Sequence, residues 1–289
     1  MTTEQALAVV NRAQDRRLAV VAELPGGQVS HATVVTDQDD RTWLLKWWQP
    51  DEGEQDSRAW LEAADARIER LRLRGYPAPR TDLIVAREGV LAVVQELLAG
   101  RPPDPLLRAH VEQLVALNDL QADTQPSDPE WGEFIRSTLL RGADGYCLHE
   151  PLRRHSPQAA ALLERVIAIG RETDPGDLPA CDIAHFDLHH LNVLAQGDRV
   201  TGIIDCEGAR AGDRAFDLVT LLFCSGEGQL DEDAQEWLWS LLQERRRPEP
   251  LRAYMAHMSL RLTSWWAVHH PRDATDRWIG HAQRWLDRV

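Results

Sequence analysis

Residues 185–217 constrain the fold of this chain more than any other part of the sequence. They contain the segment HFDLHHLN, with Asp187 and Asn192, and the segment IID, which ends at Asp205. A short apolar run follows Asn192, another precedes Asp205, and the turn-forming residues Gln196-Gly197-Asp198 separate the two runs. This pattern predicts a β-hairpin that brings Asn192 and Asp205 together.

The residue types at these positions indicate phosphoryl-transfer chemistry. One carboxylate, Asp187, can orient an attacking hydroxyl group and accept its proton. The amide oxygen of Asn192 and the carboxylate of Asp205 are hard ligands that suit magnesium on nucleotide phosphates. We therefore expect Mg²⁺ as the cofactor, and ATP or GTP as the phosphoryl donor.

The basic residues give a second indication. Arginine accounts for 31 of the 32 basic residues, and the only lysine, Lys46, ends an apolar run. A GC-rich genome explains an excess of arginine. A single lysine that closes a strand nevertheless favours a site that needs a compact ammonium group rather than a planar guanidinium.

With these motifs the chain resembles the aminoglycoside phosphotransferase family, small-molecule kinases related to protein kinases. The resemblance covers about residues 20–225. It implies an α+β, two-lobed, protein-kinase-like fold, with a small antiparallel β-sheet and one main helix in the N-terminal lobe and a larger, mostly helical C-terminal lobe. The implied nucleotide-binding lobe is 1–98 with a hinge at about 94–100, and the implied lobe with the catalytic loop and acceptor site is 99–289.

The resemblance also implies roles in nucleotide binding. Lys46 matches the lysine that contacts the phosphates, and Ser30 ends a glycine-containing loop that would cover them. The backbone groups of Gln95 and Leu97 would pair with the adenine at the hinge. The acidic partner of Lys46 is open: position favours Asp65 slightly over Glu62.

Within residues 185–217, the resemblance implies that Asp187 is the catalytic base. It implies that His185 and Asp217 are structural supports, with Asp217 bracing the loop through backbone N–H groups. Phe186 is a departure, because the family often has glycine at that position. Cys206 is another, since an aromatic residue is more common there.

Periodicity supports this architecture. Strand-like runs occur at 18–24, 32–36, 42–48, 83–86 and 90–96, and helical patterns occur at 3–17 and 57–74. From residue 105 onward helical patterns dominate: about 105–122, 130–143, 157–172, 213–224, 232–246, 250–269 and 273–288. The sequence therefore predicts one small sheet followed by a helical region.

Charge and composition limit the classes of molecule that this protein is expected to bind. The net charge of −14 argues against nucleic acid, because phosphate backbones require basic surfaces. No apolar run is long enough for a membrane span, and the N-terminus lacks a signal-peptide pattern, so we expect a cytoplasmic protein. Residues 101–289 carry 30 acidic against 20 basic residues. Such acidity would attract a cationic acceptor.

We therefore expect the acceptor to be a cationic antibiotic, either an aminoglycoside or a basic cyclic peptide of the viomycin or capreomycin type, whose phosphorylation would confer resistance. Candidate acceptor-binding residues are Glu207, Glu227, Asp231 and Glu232. A metabolic kinase that acts on choline, homoserine or a sugar is the alternative, because it would share the same phosphoryl-transfer motifs.

Two alternatives lie outside small-molecule kinases. His185, Asp187, His189 and His190 are dense enough for a metallohydrolase site, although their order differs from the His-x-His-x-Asp-His pattern of metallo-β-lactamase-like enzymes. A non-catalytic pseudokinase is the other alternative. Such a protein would be expected to lack at least one of four side chains. All four are present: Lys46, Asp187, Asn192 and Asp205.

Overall fold

A computed structural model describes residues 1–14, 17–24, 31–49, 54–143, 145–245 and 247–289. The chain divides into two compact units. The first comprises Met1–Arg101 and Val193–Ala209, and the second comprises Pro102–Asn192 and Arg210–Val289. The segment 193–209, which the sequence analysis assigned to the C-terminal lobe, thus belongs to the first unit.

The first unit is built on an antiparallel five-stranded sheet of order β1-β2-β3-β5-β4. Its elements are α1 (Thr3–Gln14), β1 (Ala19–Glu23), β2 (His31–Thr36), β3 (Thr42–Trp48), α2 (Glu54–Arg72), β4 (Thr81–Arg87) and β5 (Val90–Glu96). The predicted strands and both predicted helices of this region are confirmed. The expected α+β class, with a small antiparallel sheet followed by a mostly helical region, is also confirmed.

Alternation along β3 places its side chains on two faces of the sheet. Leu45 and Trp47 are buried in a core cluster that contains residues of α1. Lys46 and Trp48 point to the opposite face, because successive side chains of a strand alternate. On that face Trp48 packs against a smaller cluster that includes Leu61 of α2. The period of the strand therefore turns Lys46 away from the main apolar core.

The predicted hairpin is formed by β7 (Val193–Gln196) and β8 (Arg199–Ile203). Gln196 pairs with Arg199, so Gly197 and Asp198 form the connection, and Gly197 has a left-handed φ of 56°. Such a conformation is easy for glycine. Val193 pairs with Ile203 at the other end of the hairpin, so the residue after Asn192 lies beside a residue just before Asp205.

The second unit is mainly helical. Its elements are α3 (Arg108–Asp119), α4 (Pro129–Arg141), α5 (His149–His155), α6 (Pro157–Glu172), β6 (Asp182–Ala184), β9 (Arg210–Gly212), α7 (Ala215–Phe223), α8 (Glu232–Arg245), α9 (Pro248–His269) and α10 (Arg272–Leu286). The sequence analysis did not identify α5, because its seven residues are too few for a helical period to show. Among the residues described, no helix is both long and apolar enough to cross a bilayer.

His257 lies on α9 in the core of the second unit, packed against the rings of Phe134, Phe186 and Phe216. It is 1% exposed, and neither ring nitrogen has a hydrogen-bond partner among the described residues. Burial lowers its pKa to about 3, and the charges of Arg261 and Arg210 act in the same direction. The folded protein therefore holds His257 in its neutral form.

We expect His257→Leu to increase stability. At neutral pH the gain should be about 1–3 kcal/mol, because the change removes a buried polar group that lacks a partner. In the wild type, His257 should not reduce the free energy of unfolding above its unfolded pKa of about 6.5. As pH drops from there towards 3, the free energy of unfolding should fall, since only the unfolded state takes up the proton on His257. Between pH 6.5 and 5, His257 should therefore lower the free energy of unfolding of the wild type by roughly 2 kcal/mol. Urea unfolding of both proteins at pH 7.5 and 5 measures these differences.

The exposed variant His269→Gln is the control for this experiment, because it removes a histidine from the same helix without changing the core. It should unfold like the wild type at both pH values. Equal stability and equal pH dependence of His257→Leu and the wild type would contradict the assignment of His257 as a neutral, unpartnered core residue.

Candidate active site

Lys46 of β3 is a buried cation in the first unit, with 6% of its surface exposed. Its ammonium group contacts the carboxylate of Asp205 and lies 2.6 Å from Oε1 of Glu207. Burial would lower the pKa of Lys46, but these two carboxylates outweigh that effect and raise the pKa above its usual value. Lys46 therefore remains charged beside two oxygen-bearing side chains that lie 159 and 161 positions later in the chain.

In the described structure Lys46 pairs with Asp205 and Glu207 and not with either of the acidic partners considered from the sequence. No ion pair joins Asp65 or Glu62 to Lys46 among the described residues; Glu62 instead pairs with Arg58 at 2.7 Å. Glu207, which we had considered for acceptor binding, pairs with Lys46. The reason is local: Cys206–Gly208 form a short helical turn directly after Asp205, and this turn carries Glu207 back towards β3.

Asp205 adopts a left-handed backbone conformation, with φ of 62° and ψ of 43°. Aspartate tolerates this region better than most residues, and such conformations are frequent at functional sites. Its side chain is 46% exposed, so the carboxylate is partly open to solvent although one oxygen contacts Lys46. This leaves carboxylate oxygen available to a hard cation.

The other predicted nucleotide contacts have different positions in the first unit. Gln95 is buried in β5 and lines a recess together with Asp65 and Glu207. Leu97 follows the end of β5 and is 41% exposed. Ser30 lies outside the described residues. The nucleotide-binding roles of these residues stay predictions.

The segment from His185 to Asn192 in the second unit follows β6, and Asp217 of α7 holds its backbone by hydrogen bonds. Asp217 is fully buried and accepts hydrogen bonds from the backbone N–H of His185 at 2.7 Å and of Phe186 at 2.8 Å. The side chain of Gln121 donates a third bond, at 2.8 Å. Burial raises the pKa of Asp217. His185 is also buried and accepts a bond from the N–H of Asp187.

Phe186 has a φ of 73°, a left-handed conformation that glycine adopts at little cost and that a large side chain adopts rarely. This explains why glycine suits the position. The phenyl ring stacks on Phe216 with centroids 5.1 Å apart, and the guanidinium of Arg210 lies 4.1 Å from the ring centroid. Aromatic packing and a cation–π contact therefore offset the backbone strain.

Asp187 is held by a residue that sequence reasoning did not identify. Arg261 of α9 donates to Oδ1 of Asp187 at 2.9 Å and to the carbonyl oxygen of Phe186 at 2.8 Å. His189 lies 3.6 Å from Oδ2. Burial would raise the pKa of Asp187, but Arg261 and His189 outweigh it and hold the pKa well below its usual range. The carboxylate is thus ionised and still 39% exposed.

Asn192 lies at the end of the 185–192 segment and contacts its backbone. Its side-chain amide donates to the carbonyl oxygen of Asp187 at 2.8 Å, and the residue is 3% exposed. Because the NH₂ group is used in this bond, the amide orientation is fixed and its oxygen remains as a ligand atom. An amide oxygen and a carboxylate are the donors that a hard divalent cation prefers, so Asn192 and Asp205 each have the chemistry of a magnesium ligand.

The remaining acidic candidates do not contact Asp187 in the described structure. Asp231 accepts from the backbone N–H of Asp233 and Ala234, at 3.2 and 3.4 Å, and so stabilises the start of α8. Glu227 and Glu232 are exposed. Their proposed contacts with an acceptor stay predictions.

The histidine-rich segment does not assemble as a metal centre. Within the described residues, the group of three or more ligand atoms close enough to share one ion is Asp123, Cys181 and Asp182. His185, Asp187, His189 and His190 form no such group. The metallohydrolase interpretation therefore has no structural support.

The comparisons with known proteins agree with the sequence motifs. Residues 20–254 match the family model described as the phosphotransferase enzyme family. The chain therefore belongs to this family, and the predicted family and enzyme class are confirmed. No curated protein matches the sequence significantly.

Solved structures of small-molecule kinases share the fold. A thermostable mutant of aminoglycoside phosphotransferase APH(4)-Ia, solved with ADP and hygromycin B, is 16% identical with a TM-score of 0.68, and the match covers 99% of this chain and 98% of that chain. The amicoumacin kinase hAmiN, solved with AMP-PNP, Ca²⁺ and Ami, is 14% identical with a TM-score of 0.65, covering 100% and 94%. A putative fructosamine-3-kinase from Thermobifida fusca YX-ER1 is 19% identical with a TM-score of 0.60, covering 98% of each chain.

Proposed function

We propose that this protein is a magnesium-dependent kinase that transfers the γ-phosphoryl group of ATP or GTP to a hydroxyl group of a small molecule. The observation that carries the proposal is the buried ammonium of Lys46 against Asp205. This observation supports the proposal because kinases use a lysine held by an acidic side chain to contact nucleotide phosphates.

Each group then has a defined role. Lys46 binds the phosphates, while Asn192 and Asp205 would hold magnesium, which neutralises charge on the phosphate oxygens when it is bound. Asp187 orients the acceptor hydroxyl and takes its proton. The acceptor oxygen forms a bond to the γ-phosphorus as the bond to the β-phosphate oxygen breaks, which releases the nucleoside diphosphate. Most of the rate enhancement comes from positioning and charge stabilisation.

A cationic antibiotic is the acceptor class that we favour. The net charge of −14 supports it, because an acidic protein attracts cations. The structurally similar proteins include one solved with hygromycin B and one solved with amicoumacin. Phosphorylation of such a compound would inactivate it and confer resistance. We propose that the reaction takes place in the cytoplasm, where ATP is abundant.

A metabolic kinase is the second candidate, and the structural similarity to a putative fructosamine-3-kinase favours keeping it. A sugar-derived acceptor would need the same phosphoryl-transfer residues. The two candidates therefore differ in the acceptor and not in the mechanism.

The experiment that tests the function is an acceptor panel with magnesium and ATP or GTP, read by mass spectrometry. The panel contains aminoglycosides, basic cyclic peptides of the viomycin and capreomycin type, choline, homoserine and sugars. We expect one class to gain a single phosphoryl group. A phosphorylated metabolite without any antibiotic product would contradict the acceptor assignment, and no product with any acceptor would contradict the proposed function.

A further inference from the structure

Arg261 makes two hydrogen bonds to the catalytic loop from one guanidinium group. One nitrogen donates to the carbonyl oxygen of Phe186 at 2.8 Å and another donates to Oδ1 of Asp187 at 2.9 Å. Its side chain is only 12% exposed, and it comes from the middle of the 22-residue helix α9. A planar guanidinium that bridges two acceptors fixes their relative direction, which a single-point donor cannot do.

The backbone of the loop is already fixed without Arg261. Asp217 accepts from the N–H groups of His185 and Phe186, and Asn192 donates to the carbonyl oxygen of Asp187. What Arg261 adds is a bond to the carboxylate itself. Its contribution therefore concerns the direction of the Asp187 side chain more than the path of the chain.

We propose that Arg261 is a positioning residue for phosphoryl transfer, which fixes Oδ1 of Asp187 so that Oδ2 receives the acceptor hydroxyl. The inference rests on the proposed function and extends it to a residue outside the catalytic segment. Because a misplacement of about 1 Å can reduce turnover by about 100-fold, the direction of this carboxylate determines how fast the acceptor hydroxyl reacts.

The same contact limits the chemistry of the acceptor. Arg261 and His189 flank Asp187, and the guanidinium of Arg210 lies over the ring of the neighbouring Phe186. Because Arg261 already balances the charge of Asp187, this carboxylate offers little net attraction to a substrate ammonium group next to the reacting hydroxyl. We therefore expect the reacting hydroxyl to lie on a part of the acceptor without an adjacent ammonium group, whatever the charge elsewhere in the molecule.

The test uses the full-length enzyme, MgATP and the acceptor identified by the panel. Arg261→Met removes the donors but keeps the length of the side chain. We expect kcat to fall by about 100-fold while the KM for ATP stays near the wild-type value. Arg261→Lys should recover part of the loss, and guanidinium chloride at low millimolar concentration should restore part of the activity of Arg261→Ala.

Arg252→Met is the matched control, because Arg252 lies on the same helix and pairs with Glu172 far from the loop in sequence. It should keep wild-type kinetics. Thermal unfolding of every variant separates folding from positioning. A loss of activity that follows a loss of folded protein, without recovery by lysine or guanidinium, would overturn the inference, because Arg261 would then act through stability alone.

If the wild-type enzyme phosphorylates the acceptor and Arg261→Met has the same kcat, the inference is overturned and the proposed function stays intact. A wild-type enzyme that phosphorylates no acceptor would overturn the function, and the inference with it. The position of the phosphate in the product, determined by NMR, tests the acceptor chemistry. We expect a hydroxyl that has no ammonium group on the adjacent carbon, and phosphate beside an ammonium-bearing carbon would refute that part.

Discussion

Asp187→Asn should reduce kcat by about 10²–10⁴-fold, because a positioned general base contributes about that much to proton transfer. The amide keeps the size of the side chain and can still accept the hydrogen bond from Arg261, so the loop should retain its shape. It cannot take the proton of the acceptor hydroxyl. Binding of ATP should remain close to that of the wild type, since Asp187 is assigned to the acceptor. Steady-state kinetics and calorimetric titration with a non-hydrolysable ATP analogue measure the two effects.

The control for this variant is Asp273→Asn, an exposed carboxylate at the start of α10 that pairs with Arg277. It should have wild-type kcat and nucleotide affinity. If Asp187→Asn retains wild-type turnover, Asp187 is not the catalytic base. If it loses nucleotide binding as strongly as turnover, the assignment of this residue to the acceptor is wrong.

Asp205→Asn should reduce kcat by about 10²–10³-fold, comparable with the removal of one preorganised group that stabilises transition-state charge. The substitution removes the charged oxygen assigned to magnesium and one of the two carboxylates that contact Lys46. Unlike Asp187→Asn, it should also raise the magnesium concentration needed for half-maximal activity. The measurement is a magnesium titration at saturating ATP and acceptor.

Asp39→Asn is the matched control in the first unit, because Asp39 lies in the exposed turn between β2 and β3. Its magnesium dependence should be that of the wild type. An unchanged magnesium requirement in Asp205→Asn would show that Asp205 is not the ligand. The ion pair with Lys46 would then be its main role.

Local sequence patterns predicted the elements whose signal is local. Alternation identified the strands of the five-stranded sheet, and the turn-forming residues Gln196-Gly197-Asp198 identified the hairpin. Helix α5 was missed, because seven residues span only about two helical turns and show little periodicity. The burial of Asp217 beneath the catalytic loop followed from the family resemblance and not from its own neighbours in sequence.

Side-chain partners from distant segments were harder to predict. The ammonium of Lys46 pairs with Glu207, 161 positions away, whereas sequence position had favoured Asp65. A short turn after Asp205 determines this pairing, and its direction cannot be read from residue types. Arg261 lies 74 positions after Asp187 and is one of 31 arginines. Only its place on a buried helix face distinguishes it, and that place depends on how α9 packs.

Phe186 illustrates how structure explains a departure from a family pattern. The left-handed backbone at this position accounts for the frequent glycine, and the stacked Phe216 with the guanidinium of Arg210 accounts for the phenylalanine. The sequence showed the unusual residue but not its aromatic and cationic neighbours. Packing therefore compensates locally for a backbone conformation that the side chain alone would disfavour.

We propose that Lys46, Asp205 and Asp187 serve one transfer of phosphate from a nucleotide to a small-molecule hydroxyl. A single-turnover reaction of wild-type enzyme with MgATP and the identified acceptor, stopped at successive times, tests it most directly. We predict that nucleoside diphosphate and phosphorylated acceptor appear together in equal amounts, and that neither appears without magnesium. Release of diphosphate without phosphorylated acceptor would contradict the account, because the nucleotide would then be hydrolysed by water.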